Sequence, residues 1–206
     1  MFFGARHKVD KYCDQLEAAA DPAAFEQAAL GLWAAAQKAS PRDATAALER
    51  CAWLLSGLSV GSGGRFSILC GALVELGAEP DALAVPVADG LLRSLEQAWR
   101  FRDAWHWAGA GQKLPDPEAA DDHLQGAVAR LAPLMGGEAA YRAAEGWFSV
   151  TNWARPATTL LREAPELWAR HPGRASIVAH VAALVADVPD LGDVHDMLSG
   201  PGRARR

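Results

Sequence analysis

The chain has 206 residues, half of them hydrophobic and 22% charged, with a formal net charge of −5. A chain of this length and balance buries well over half of the surface it exposes when unfolded, which excludes wholesale disorder and removes any need for a disulfide or metal to hold a core. The acidic balance argues against nucleic acid as a partner, and no apolar run approaches the roughly 18 residues of a membrane span.

The opening stretch MFFGARHKVDKY lacks the long apolar core of a signal peptide, so a cytoplasmic location is expected. Asp21-Pro22 is the first clear helix start, a capping side chain followed by proline where its missing N–H costs nothing. Phe25, Ala29, Leu32 and Ala36 then recur at three- and four-residue spacing, which predicts a helix over about 22 to 39. Ser40-Pro41-Arg42-Asp43 repeats the device, and Ala44, Ala47, Leu48, Cys51, Leu55 and Leu58 form its apolar stripe. Cys51 reads as a small core residue; Cys13 and Cys70 share no metal-ligand spacing with it.

GLSVGSGGRFS, residues 57–67, is rich in glycine, and such loops can cradle phosphate at a helix N-terminus. It matches neither the G-x-x-x-x-G-K-[ST] loop nor the G-x-G-x-x-G fingerprint, and a helix precedes it instead of a strand, so an interhelical turn is expected, with Arg65 as the one candidate anion contact. Phe66, Leu69, Leu73 and Leu76 make the next stripe, stopped by Gly77. Leu83, Val87, Leu91, Leu95, Ala98 and Arg102 continue the helical period through a long segment that Pro86 should start or kink.

After the loop GAGQKLPDPE, Asp116-Pro117 should open a helix carrying Leu124, Val128, Leu131 and Met135 and closed by Gly136-Gly137. Tyr141, Ala144 and Phe148 mark another, expected to stop before Pro156. Leu160, Leu161 and Ala164 precede Pro165; Ile177, Val181, Leu184 and Val188 form a further stripe, and Leu191, Val194 and Leu198 a short last one. No stretch alternates apolar and polar residues as a half-buried strand requires. The expectation is an all-α fold of eight to ten amphipathic helices, a compact bundle or stacked hairpins, without a sheet. One domain is expected over residues 1–200, with a possible weak division at 109–117, and a flexible basic tail at 201–206.

The polar motifs point to little chemistry. Asp121-Asp122-His123-Leu124-Gln125 resembles the D-D-x-x-[DE] stretch with which all-helical isoprenoid enzymes hold magnesium against a diphosphate, but its last position is Gln125 and no second metal motif follows. An acidic first turn complementing the helix dipole accounts for both aspartates. Asp193, His195 and Asp196 form at most a metal half-site on an amphipathic polar face. There is no H-E-x-x-H, no Glu-x-x-His pair and no G-x-S-x-G elbow, so no catalytic residue, metal or cofactor is assigned.

One stretch stands apart. WRFRDAWHW, residues 99–107, places three tryptophans, a phenylalanine, two arginines and a histidine in nine positions. Helical spacing puts Phe101 with Trp105, Arg102 with His106, and Trp99 with Arg102 and Asp103, so the cluster wraps the helix. It is the buried centre of the fold, with Trp33, Trp53, Trp147, Trp153 and Trp168 around it, or it is a recognition surface, since Trp and Arg are enriched at binding hot spots. The candidate binding residues are Trp99, Arg100, Arg102, Trp105, His106, Trp107, Trp147, Trp153 and Arg155. The expected role is a non-enzymatic module that docks a protein partner or a second copy of itself; the alternative is a small-molecule pocket or helical enzyme site between helices, with Arg100, Arg102 and His106 as polar handles.

Overall fold

A computed structural model describes residues 3–109 and 111–200. Among these the chain forms eleven α-helices and no strand: α1 (Phe3–Glu17), α2 (Pro22–Ala36), α3 (Pro41–Gly57), α4 (Val60–Glu75), α5 (Asp81–Ala108), α6 (Ala120–Met135), α7 (Gly137–Trp147), α8 (Val150–Glu163), α9 (Pro165–Ala169), α10 (Arg174–Leu184) and α11 (Gly192–Ser199), with a 3-10 turn at Pro189–Leu191. The all-helical expectation holds, and the count of eight to ten falls short. Helix α9 is a single turn opened by Pro165. The tail expected at 201–206 lies outside the described residues.

The cap motifs act as their chemistry dictates. The Asp21 carboxylate accepts the Ala24 N–H at 2.8 Å, and the Ser40 hydroxyl accepts that of Asp43 at 3.2 Å. Gly77 ends α4 with φ +96°, a left-handed conformation that a Cβ would strain. Further along, Asp116 does not open α6. Its carboxylate closes a tight turn by accepting the Glu118 N–H at 2.9 Å, and the helix begins at Ala120, with Asp121 and Asp122 exposed in its first turn.

Two expectations fail for one tertiary reason. The glycine-rich stretch is no turn, since α4 starts at Val60 and carries Gly61, Gly63 and Gly64 inside its first turns. Likewise Pro156 does not stop a helix; it lies within α8. The two helices cross face to face, and Gly63, Gly64 and Pro156 are accommodated across the contact. A Cβ on Gly63 would lie 2.8 Å from the Trp153 ring, and one on Gly71 would lie 3.0 Å from Pro156 Cβ. Proline has no N–H for the carbonyl four residues back, and that carbonyl, of Asn152, is reached at 3.3 Å by the Ser67 hydroxyl, whose proton it shares with the Gly64 carbonyl at 2.7 Å. Small residues along one face of α4 thus let α8 approach closely enough for Ser67 to reach the carbonyl that Pro156 leaves open.

Helix α5 is the hub, touching α3, α4, α6, α7, α8, α9 and α10. Pro86 lies in its second turn without dividing it. Against α7, Gly146 admits the α5 backbone, and the buried Ser94 hydroxyl donates to the Gly146 carbonyl at 3.0 Å. Helices before and after the 111–119 loop pack on one another, α4 and α5 against α7 and α8. On the other flank, Cys13, Cys51 and Cys70 meet where α1, α3 and α4 converge, all buried. The bond to Cys51, followed by burial, pushes the Cys13 thiol far above its ordinary range. Cys51 is also held well up: although Cys13 favours its ionisation, its bond to Cys70 and its burial oppose it more. These two thiols stay neutral and serve as packing.

Arg50 fastens α1 to α3, reaching Glu17 at 2.6 Å and Asp14 at 2.7 Å. Its hydrogen bond holds the Glu17 carboxyl below the ordinary 4.5. A carboxyl lowered on folding stabilises fully above its unfolded pKa and loses that contribution as the pH falls through the lowered value. The melting-temperature gap between the wild type and Arg50→Met should therefore be constant from neutral pH to about 5 and shrink towards pH 3; a gap that widens on acidification would refute the clamp. A second expectation concerns Gly90, whose missing Cβ leaves room for the Trp153 ring. Gly90→Ala gains about 1 kcal/mol of helix propensity, yet in urea unfolding it should lose a net ~1–3 kcal/mol, because overpacking outweighs propensity.

Candidate functional site

The 99–107 cluster divides by helix geometry into an inner and an outer half. On the inner side Phe101 is fully buried and forms the middle of an aromatic column: its ring lies 5.4 Å from Trp105 at 24° and 5.2 Å from Trp147 at 19°, with Phe148 edge-on at 6.0 Å. The Arg130 guanidinium caps the column, 4.2 Å from the Trp105 ring centroid, and its edge bonds Gln112.

The polar tips of the column have one destination. Trp105 Nε1 donates to the Lys113 carbonyl at 3.1 Å and Trp147 Nε1 to the Pro115 carbonyl at 3.0 Å. The Trp147 indole is fully buried and that of Trp105 half-buried, and both fasten the loop that joins α5 to α6. Trp153 behaves likewise nearer the start of α5, at Gly90, fully buried and donating to the Val60 carbonyl at 2.8 Å. Burial removes Trp147 and Trp153 from any surface.

Two of the arginines are also committed within the fold. Arg102 lies along α10, donating to the Ala183 carbonyl at 2.6 Å in its last turn, with Asp103 at 3.1 Å and Asp187 at 3.8 Å. A cation at that position satisfies a helix-end carbonyl and complements the dipole. Arg155 pairs with Glu118 of the loop and faces Asp190 at 3.8 Å.

What remains is the outer half. Trp107 is 86% exposed, Trp99 is 40% exposed with its ring 6.2 Å from that of His180, and Arg100 and His106 are exposed beside them. At about 100° per residue these four, with Asp103 between, fall on one arc of roughly 120° over the last turns of α5. Trp53 is exposed too, at 73%, against the expectation that it belongs to the core; it stands on α3, which meets α5 elsewhere. Arg130 was missed by sequence reasoning, since an arginine beside the apolar stripe of α6 looks like any solvated cation until the fold sets it over an indole.

The other tempting motifs are placed as follows. The N-terminus of α4 is faced by a carboxylate of the chain itself: Glu145 accepts the Ser59 hydroxyl at 2.8 Å, and a Cβ on Gly61 would come within 2.7 Å of the same carboxyl oxygen. His195 is 3.3 Å from Asp196, and among the described residues no group of three or more His, Cys, Asp or Glu side chains is arranged to hold a metal ion. Two hollows of about 720 and 450 Å³ lie over α1–α2 and over the start of α3; neither is lined by a tryptophan. Among the described residues no helix is long and apolar enough to cross a membrane.

No protein-family model matches the sequence, and neither a curated protein nor a solved structure is similar to it.

The column assigns Trp147 the task of holding the loop. Trp147→Phe keeps most of the buried ring and leaves the Pro115 carbonyl without its donor, so stability should fall by about 1–2 kcal/mol. Tryptic cleavage after Lys113 should accelerate several-fold under native conditions; an unchanged cleavage rate would show that the indole bond does not restrain the loop.

Proposed function

We propose that the chain is a non-enzymatic helical module that docks a protein partner through the outer face of α5, with Trp99, Arg100, His106 and Trp107 as the contact residues. The single observation that supports this reading is the exposure of Trp107. Leaving an indole in water forfeits roughly 2–3 kcal/mol of burial, and Trp99 is half-exposed on the same arc with an arginine and a histidine alongside. Trp and Arg together are the residue types that contribute most when a partner desolvates them. The inner tryptophans are packed against side chains and donate to backbone carbonyls, which favours a surface over a pocket between helices. The reading takes the helices as one bundle and one domain gathered about α5, since stacked repeats touch only their neighbours in sequence.

The test compares tryptophans. Complexes formed by the full-length protein, observed by native mass spectrometry and by capture on immobilised protein, should be lost or weakened at least tenfold by Trp107→Ala and by Arg100→Ala. Trp53→Ala, which removes an indole of similar exposure from α3, should leave them intact. Complexes that survive both α5 variants, or that depend on Trp53 alone, would overturn the reading.

A further inference from the structure

The outer face of α5 carries charge in a regular order. Asp89, Arg93, Glu96, Arg100, Asp103 and Trp107 follow at alternating spacings of four and three, the period of a coiled-coil seam, with Arg93, Arg100 and Trp107 in one row and Asp89, Glu96 and Asp103 in the other. Glu96 and Arg100 stand four apart, the spacing at which such pairs close within one helix, yet among the described residues neither they nor Arg93 make an ion pair within 4 Å. Arg93 and Arg100 are exposed and Glu96 is half-buried.

The order is symmetric about position 98. Arg93 and Asp103 lie five residues either side of it, Glu96 and Arg100 two either side, and Asp89 and Trp107 nine either side. Two antiparallel helices related by a two-fold axis bring together residues equidistant from that axis, one from each row of the seam. An axis level with residue 98 sets every arginine of the face opposite a carboxylate of the other copy: Arg93 opposite Asp103, Arg100 opposite Glu96, and the reverse pairs by symmetry. Each Trp107 falls opposite an Asp89. That carboxylate accepts one bond from His171 Nε2 at 3.2 Å and remains about half exposed, so it can take the indole N–H as well. Trp99, one residue from the axis on the flank of the seam, meets its own counterpart.

We infer that the partner on this face is a second copy of the chain, paired antiparallel through α5 about a two-fold axis level with residue 98. The inference rests on the docking reading above and names its occupant. The seam is polar at its centre and closed by tryptophan at both ends, which gives register and orientation more than strength, so the dimer is a weak one, populated at tens to hundreds of micromolar.

Charge reversal tests the register. Sedimentation velocity and light scattering on the full-length protein at 10–500 µM and low salt should show a concentration-dependent monomer–dimer equilibrium that weakens as salt rises. Arg100→Glu sets Glu96 against a new carboxylate twice per dimer, and Glu96→Arg sets Arg100 against a new guanidinium; each variant alone should raise the dissociation constant about tenfold or more. Mixing the two variants restores both opposite-charge layers, so the mixture should form a heterodimer close to wild-type affinity. That recovery cannot come from misfolded protein. A monomer at 500 µM, a dimer indifferent to both reversals, or a mixture that does not recover would each overturn the inference. A monomeric wild type whose foreign complexes still require Trp107 and Arg100 would overturn only the second copy and leave the docking face standing; loss of the Trp107 dependence would overturn both.

Discussion

The seat of Trp153 is the constraint on which the rest of the structure depends. Its indole fills a slot between α4 and α5 that exists only because residues 63, 64 and 90 have no side chain, and its N–H satisfies a backbone carbonyl of Val60 in the first turn of α4. A tryptophan so placed joins α8 to two consecutive helices far from it in sequence, and it does so without leaving its polar atom unpaired, which in a buried site would be costly. The approach of α8 to α4 that it enforces also brings Ser67 to the carbonyl that Pro156 leaves open. One close contact therefore explains a helix that begins in glycines and another that continues through a proline.

With α4, α5 and α8 fixed, the aromatic run near the end of α5 has two environments. The side towards α7 and α8 becomes the column of Trp105, Phe101 and Trp147, and its indole N–H groups tie down the connecting loop. The side turned away from them carries Trp99, Arg100, His106 and Trp107, with α10 along one edge, where Arg102 satisfies its last turn. The dense composition of this stretch thus meets two environments at once: a core position whose neighbours are all present, and a surface that no other helix of the fold covers. The buried thiols at the opposite flank show the contrast, since two of them are held neutral and packed on all sides.

Much of this was legible from local chemistry. Asp21 and Ser40 cap because a short polar side chain before a proline can reach a free N–H three residues on, and Gly77 stops α4 because the left-handed conformation there costs glycine nothing. Apolar periodicity picked out Leu32, Leu48, Leu73, Leu91, Leu131 and Leu184, all fully buried. Signals that depend on a distant partner were misread or silent. Residues 61–64, three of them glycine, have the composition of a turn, and Trp53 and Trp147 are the same residue type, one in water and the other in the core. Arg130 has no local feature that announces the indole beneath it.

What the sequence by itself determined is the helical class, the capped helix ends and the apolar stripes, because these follow from backbone hydrogen bonding and a 3.6-residue period within a few turns of chain. Only the tertiary structure decided which tryptophans are inside, that α4 begins among its glycines, that Pro156 is tolerated, and that α5 keeps one charged, tryptophan-bearing face uncovered. Those outcomes turn on steric room and unpaired polar groups supplied by residues up to about ninety positions away, and no local pattern encodes the presence or absence of a neighbour across the fold.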